Sequence, residues 1–262
     1  MKRLTFALAI ALPLAGAASF VPVLPSAFVL RSQEPPLPAS EEFVQQVRDN
    51  LARADREQYR YAYHERRSDL HTNPFGKLGT SGTLLYAVHP GDEYGIYHRQ
   101  LIARDGQTVT DEKQQTVDRR GRSETNPAVE DVVQTLDFSM VRREVVGGRD
   151  MIVVSFSPKP DAKPRTRQGK MAKAFEGTTW IDEALREVVR LEATSVDTIS
   201  YGLGVIARLG KGAKVELVRE RIDESIWLPT SIRLKGEGRA ILVRKLKIDY
   251  FIQWFDYRRA LG

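Results

Sequence analysis

The chain has 262 residues, of which 40 are Lys or Arg and 34 are Asp or Glu, and it contains no cysteine. The formal net charge of +6 is mild and the charges are mixed along the chain, so the composition gives no reason to expect a nucleic-acid partner. The lack of cysteine excludes disulfides, a cysteine nucleophile and the lipid-bearing cysteine of a lipoprotein signal.

The amino terminus has the pattern of a secretory signal. Lys2 and Arg3 are basic and residues 4–14 are apolar. Small residues follow at 15–17, the positions that a signal peptidase recognises. We predict a signal peptide over 1–17, a Pro-rich linker over 18–39, and export to the periplasm. Cleavage removes Lys2 and Arg3, so the net charge falls from +6 to +4. An uncleaved anchor is the alternative, which Pro13, Pro22 and Pro25 make less favourable.

A helix is predicted over residues 40–56, at the start of the domain. Ser40 is expected to cap it, and Glu41 and Glu42 lie in the first turn, where the helix dipole favours acidic side chains. Apolar residues recur at helical spacing on one side: Phe43, Val44, Val47, Leu51 and Ala54. Such an amphipathic helix needs an apolar surface to cover.

Most of the remaining chain predicts antiparallel strands. Tyr59, Tyr61 and Tyr63 share one face of the first, and hairpins are expected around residues 89–93 and at Gly147–Gly148. A short helix is predicted after Pro127, with Val129, Val132, Val133 and Leu136 on its apolar side. A basic loop is predicted over residues 158–167. Long strand runs follow at 186–200, 214–223, 226–236 and 238–257.

These elements predict one mainly β (α+β) domain over residues 40–262. We expect about nine to eleven strands in a single large, curved antiparallel sheet that forms a half-open barrel, with short helices on its concave face. A glycine-rich stretch at 198–212 has two interpretations: a kinked connection between strands, or a mobile apolar loop at the rim of a cavity.

Several short motifs resemble the periplasmic outer-membrane lipoprotein-sorting, or lipoprotein-carrier, family. They are Phe175-x-Gly177-x-x-Trp180-Ile181-Asp182, Val188–Glu192, Trp227-Leu228-Pro229 and Asp256–Arg258. In that family a signal peptide precedes an amphipathic helix and a half-closed antiparallel barrel, and the protein shields acyl chains in transit between membranes. The resemblance therefore implies a non-catalytic carrier whose first motif is a strand ending in an Asp turn.

A carrier of this kind needs a concave apolar surface, because each methylene removed from water contributes about 0.8 kcal/mol. We expect the ligand to be acyl chains of a lipid or lipoprotein, bound by a monomer that also meets envelope protein partners and transiently contacts a membrane. The same apolar residues are also those that an ordinary helix-on-sheet core would use. The predicted ligand-binding residues are Phe43, Val47, Leu51, Val133, Trp180, Leu191, Leu228, Ile248, Ile252 and Trp254.

No pattern indicates catalysis, a cofactor or a metal. The four histidines lack the close spacing of a metal site, and His89 and His98 are expected to face each other across a hairpin. Carboxylate pairs at 111–112 and 223–224 fall in predicted turns. We therefore predict a protein that is not an enzyme. The alternative function is a periplasmic sensor or scaffold module that uses the same fold to bind a protein partner.

Overall fold

The computed structural model describes residues 35–69, 82–93, 95–110, 113–118, 127–201, 207–224, 226–240 and 244–260. Residues Leu37–Gly262 form one compact unit. The predicted signal peptide, most of the linker, residues 70–81, the carboxylate pair at 111–112 and part of the glycine-rich stretch at 198–212 lie outside the described residues.

The described residues form three helices, α1 (Ser40–Glu57), α2 (Pro127–Thr135) and α3 (Arg167–Ala172), and one turn of 3-10 helix follows α1 at Gln58–Arg60. The predicted cap at Ser40 is wrong, because Ser40 is the first residue of α1 and Ala39 holds the N-cap position. Glu41, Glu42 and Arg56 complement the helix dipole instead.

The loop predicted at 158–167 is present between β7 and α3, and the short helix α3 that follows it was not predicted. It begins where that loop ends, because the Thr166 hydroxyl accepts the Gly169 amide N–H at 3.0 Å and thereby caps the first turn.

In the part of the chain that the structure describes, fourteen strands form one antiparallel sheet, more than the nine to eleven predicted, because four short strands were not anticipated. The strands are β1 (Tyr61–Asp69), β2 (Gly82–Pro90), β3 (Ile96–Arg104), β4 (Gln107–Thr108), β5 (Gln115–Asp118), β6 (Leu136–Val146), β7 (Arg149–Pro158), β8 (Phe175–Asp182), β9 (Val188–Ser195), β10 (Ile199–Tyr201), β11 (Ala207–Leu209), β12 (Lys214–Arg221), β13 (Trp227–Ala240) and β14 (Arg244–Arg259).

The main path through the sheet is β4-β3-β2-β1-β14-β13-β12-β9-β8-β7-β6, with β5 beside β3 and the β10–β11 pair beside β13. Within the described residues the terminal strands do not pair with each other, so the sheet stays open. The predicted class, a mainly β fold built on one open antiparallel sheet, is confirmed.

The predicted hairpins are present. Gly147 and Gly148 both have positive φ and connect β6 to β7, as a tight two-residue turn requires. His89 and His98 are paired in register between β2 and β3. The run predicted at 186–200 is split instead: Arg186 has a φ of +58° in the turn before β9, and the chain bends again between β9 and β10.

The break predicted between 236 and 238 is also wrong, since β13 runs through both glycines. At Gly236, a Cβ would lie 2.7 Å from the Leu209 side chain and 2.8 Å from that of Ala213. The glycine allows close packing rather than ending the strand.

Helix α1 packs on the sheet. Phe43 and Val47 are buried against Ile152, Val154 and Ile181. Two turns further along, Ala54 packs with Tyr61, Ile226 and Leu228. Tyr59, Tyr61 and Tyr63 are all buried, but only Tyr61 and Tyr63 lie in β1; Tyr59, predicted on the same strand, lies in the preceding 3-10 turn. Separate buried clusters form around Leu136 and Phe156 beneath α2 and α3, and around Tyr59, Tyr63 and Tyr97.

No helix in the described part is both long and apolar enough to span a membrane.

Candidate ligand-binding groove

A groove with a volume of about 370 Å³ lies between α1, α2 and the helix-covered face of the sheet. Binding pockets for small molecules typically measure about 300–1,000 Å³. The lining is mainly aliphatic and aromatic: Val44, Val47, Arg48, Leu51, Val132, Val133, Leu136, Phe138, Val154, Phe156, Gln168, Thr179, Ile181, Val188 and Leu191. An apolar chain is the chemical species that such a surface favours.

The helical spacing of α1 supplies one wall. Val44, Val47 and Leu51 are three and four residues apart, so they form a single stripe along the helix. Phe43 lies deeper, in the core between α1 and the sheet, and the Arg186 guanidinium carbon lies 4.8 Å from the centre of its ring.

Polar contacts fix α1 to the turn between β8 and β9. The Asn50 side-chain amide donates to the carbonyl oxygens of Leu185 at 2.8 Å and Arg186 at 3.1 Å, and Arg186 Nε donates to Gln46 Oε1 at 2.9 Å. Asp182 Oδ1 accepts the amides of Ala184 and Leu185 at 3.1 and 2.9 Å. Hydrogen bonds therefore attach α1 to the Asp turn that the family resemblance implies.

A buried ion pair lies behind this turn. Arg219 and Glu187 are 4% and 3% exposed, and their side chains are 3.2 Å apart. Arg219 also donates to the carbonyl oxygens of Val188 and Trp227. From α1, Arg53 lies 3.2 Å from the same Glu187 carboxylate. Burial lowers the pKa of Arg219, and the Glu187 charge opposes that effect.

Helices α2 and α3 form a second unit at the groove. The buried Asp131 carboxylate accepts the Arg165 amide at 2.9 Å, the Thr166 amide at 2.7 Å and the Thr166 hydroxyl at 2.7 Å. The hydrogen bond from the Thr166 hydroxyl contributes most to lowering the pKa of Asp131, and the hydrogen bond from the Thr166 amide comes next. A Cβ at Gly169 would lie 2.1 Å from Asp131 Oδ2, so the close approach of α3 requires glycine.

One ion pair joins the two helical walls. Arg48 of α1, which lines the groove, pairs with Glu130 of α2. Their side chains are 26% and 46% exposed. Arg48 also donates to Gln45 Oε1 at 3.0 Å. The contact spans the two walls without lying in the core.

Four of the predicted ligand-binding residues come together in this groove: Val47, Leu51, Val133 and Leu191. Trp180 lies on the opposite face of the sheet, because its neighbours Thr179 and Ile181 line the groove and side chains alternate.

The remaining predicted residues lie away from the groove. Leu228 is in the core beneath α1 with Ala54, and Ile248 packs against the Leu136 cluster. Ile252 is buried further across the sheet. Trp254 packs beside the tyrosine cluster and donates from Nε1 to Glu65 Oε2 at 3.0 Å.

Sequence reasoning missed part of the groove. Val44, Val132 and Leu136 stood on the apolar sides of the predicted helices and carried a usable signal. Val154 and Phe156 alternate along β7, but no pattern in the sequence indicates which face of that strand α1 covers. Arg48 gave no signal, because it reads as part of the polar side of α1.

The described residues contain no group of three or more His, Cys, Asp or Glu side chains placed to hold a metal ion. His64 Nδ1 lies 3.0 Å from Asp256 Oδ2 in a partly exposed pair on β1 and β14. Such a pair is typical of a protein surface, and nothing beside it resembles a metal-ligand set.

No protein-family model and no curated protein matches the chain. Several solved structures are similar to it. One is a DUF1329 family protein from Desulfovibrio piger, with 14% identity over 84% of this chain and 94% of that chain and a TM-score of 0.34. Another is an outer membrane lipoprotein-sorting protein domain from Vibrio parahaemolyticus, with 12% identity, coverage of 84% and 92%, and a TM-score of 0.38. A LolA superfamily protein from Nitrosomonas europaea has 10% identity, coverage of 86% and 96%, and a TM-score of 0.34. The last two carry the description of the family that the sequence resembles; the similarity is distant.

Proposed function

We propose that the protein is a non-catalytic periplasmic carrier or binding protein for the acyl chains of a lipid or lipoprotein, exported by a signal peptide over residues 1–17. The observation that supports this most is the apolar groove between α1, α2 and the sheet. Every methylene that leaves water for such a surface contributes about 0.8 kcal/mol, so a hydrocarbon chain binds without any specific polar contact.

The volume of the groove favours one chain over several. At about 370 Å³ it lies near the lower end of the range for ligand pockets. A single acyl chain, with the rest of the molecule outside, suits it better than a whole multi-chain lipid. The protein then needs no residue that does chemistry, and its partners are the membrane or envelope proteins that deliver and receive the chain.

The test is uptake of a fluorescent fatty acid by a matched pair of variants. Val133→Glu places a charge in the groove and is expected to abolish uptake. Val145→Glu makes the same change on β6, where Val145 is 67% exposed and outside the groove, and is expected to leave uptake unchanged. Only variants with a cooperative thermal transition are compared. Uptake that both variants retain, or that wild-type protein lacks, would contradict the proposal.

One observation favours the alternative, a module that binds a protein partner. Strand β6 ends the sheet path, and within the described residues it pairs with β7 alone. It also exposes Val141, Val145 and Val146. An open edge strand with exposed apolar side chains can recruit a strand from another protein. If this is the function, wild-type protein takes up no acyl probe, and Val145→Glu weakens partner binding while Val133→Glu does not.

A further inference from the structure

An apolar row leads away from the groove across the sheet. Leu191, which lines the groove, is in register with Leu217, then Ile232, then Ile252, each on the neighbouring strand. The next strand places Arg67 beside Ile252. Four strand spacings of about 4.8 Å separate β9 from β1, so Arg67 stands roughly 19 Å from the groove.

Arg67 belongs to a compact group that we name the arginine cluster: Glu65, Arg67, Tyr86, Arg99 and Trp254. The buried Glu65 carboxylate accepts from Arg67 Nε at 2.5 Å and from Trp254 Nε1 at 3.0 Å. The Tyr86 ring lies beneath both guanidinium groups, with its centre 3.8 Å from the Arg99 carbon and 5.7 Å from that of Arg67.

The arginine cluster has one more positive charge than negative. Arg67 and Trp254 each donate to one Glu65 oxygen, while Arg99 Nη1 lies 3.9 Å from Glu65 Oε1, beyond hydrogen-bond distance. Arg99 Nε is buried and has no hydrogen-bond partner among the residues that the structure describes. Most buried polar atoms have a partner, so this donor indicates a missing acceptor.

We propose that the arginine cluster binds the anionic head group, a carboxylate or a phosphate, of an amphiphile whose chain lies along the apolar row into the groove. This inference rests on the proposed function for its chain-binding part. Arg99 supplies the donors, because a planar guanidinium hydrogen-bonds two oxygens of a carboxylate or phosphate at once. Tyr86 holds the Arg99 guanidinium in place by a cation–π contact.

The test compares ligands that differ only in head-group charge. Palmitate is matched with hexadecanol, and a monoacyl glycerol phosphate with the uncharged monoacylglycerol of the same chain. Each competes with a fluorescent acyl probe. Wild-type protein is expected to prefer the anion of at least one pair by about tenfold, the gain typical of a hydrogen bond to a charged group. The pair with the larger preference identifies the head group as carboxylate or phosphate.

Arg99→Gln is expected to remove this preference and to leave hexadecanol binding unchanged, and Arg99→Lys is expected to keep part of it. Arg66→Gln is the matched control. Arg66 is next to Arg67 in the chain, points to the other face of the sheet and lies over the Phe255 ring at 5.0 Å. It is expected to behave as the wild type.

The possible failures are distinct. Equal affinity of wild-type protein for acid and alcohol overturns the head-group site and leaves the acyl-chain function intact. Loss of hexadecanol binding in Arg99→Gln shows a structural role for Arg99 and also overturns the site. If no ligand of either charge displaces the probe, or the probe never binds, the proposed function fails and this inference fails with it.

Discussion

Arg48 of α1 and Glu130 of α2 form the ion pair that joins the two helical walls of the groove. Each wall also has its own anchor, since α1 is fixed to the β8–β9 turn through Asn50 and α2 is fixed to α3 through Asp131. Both partners of the ion pair are partly exposed, and pairs of this kind contribute about 0–1 kcal/mol to stability. The pair can therefore open without unfolding the protein.

Glu130→Gln is expected to speed release of an acyl probe, because the charge that links α2 to α1 is lost. The rate should rise by at most about fivefold, which corresponds to the roughly 1 kcal/mol upper value for an exposed pair. Stopped-flow dissociation measures it. The control is Glu144→Gln, whose carboxylate pairs with Arg142 on β6, away from the groove. Equal release rates for Glu130→Gln and wild-type protein would rule out a role for the pair in retention.

Glu187→Gln is expected to lower the free energy of unfolding by about 3–5 kcal/mol, because it leaves the buried Arg219 guanidinium without a countercharge. Urea unfolding followed by tryptophan fluorescence measures the change. Glu192→Gln is the matched control: its carboxylate is 45% exposed and pairs with Arg190, so its loss should cost less than about 1 kcal/mol. Similar costs for the two variants would show that burial does not decide the value of these pairs.

The pH dependence of stability is expected to include Asp131. Its pKa is lowered in the folded protein, so its contribution is fully present above the unfolded pKa of about 3.9 and is lost as the pH falls through the lower folded value. Asp131→Asn should reduce the thermal midpoint at neutral pH and flatten its fall below about pH 4. Thr166→Val removes the hydroxyl donor, and it should likewise lower the thermal midpoint at neutral pH and flatten its fall at low pH. Parallel pH profiles for all three proteins would contradict this.

Gly177→Ala is expected to destabilise the sheet by about 1–3 kcal/mol, the usual cost of overpacking a filled site. A Cβ at Gly177 would lie 2.0 Å from the Glu192 carbonyl oxygen and 2.8 Å from the Ala193 Cα, both of which are backbone atoms that cannot turn aside. Gly210→Ala is the milder comparison, because the contact there is 3.1 Å from the Glu237 carbonyl oxygen. Thermal unfolding ranks the two variants. If Gly177→Ala lost less stability than Gly210→Ala, this would show that β8 and β9 separate easily.

Local patterns predicted the elements that depend on local physics. The apolar stripe from Phe43 to Ala54 located α1 almost to its ends, and Gly147–Gly148 located the β6–β7 hairpin. Helix α3 escaped prediction because it has only six residues and includes Gly169, whose place depends on Asp131 in another helix.

The groove was harder to predict, because its composition depends on which strand face α1 covers. Trp180 and Thr179 are adjacent in sequence, and the alternation of β8 alone fits either of them on the groove side. Long-range pairs gave no signal either: Arg219 and Glu187 are 32 residues apart, and each reads as an ordinary surface charge in its own strand or turn.

Native mass spectrometry of protein purified from a periplasmic extract tests the central claim most directly. We expect wild-type protein and Val145→Glu to carry an added mass that fragments to an acyl-bearing molecule, and Val133→Glu to appear without it. If wild-type protein shows only the mass of the polypeptide and also takes up no acyl probe, the groove does not bind acyl chains and the carrier function is contradicted.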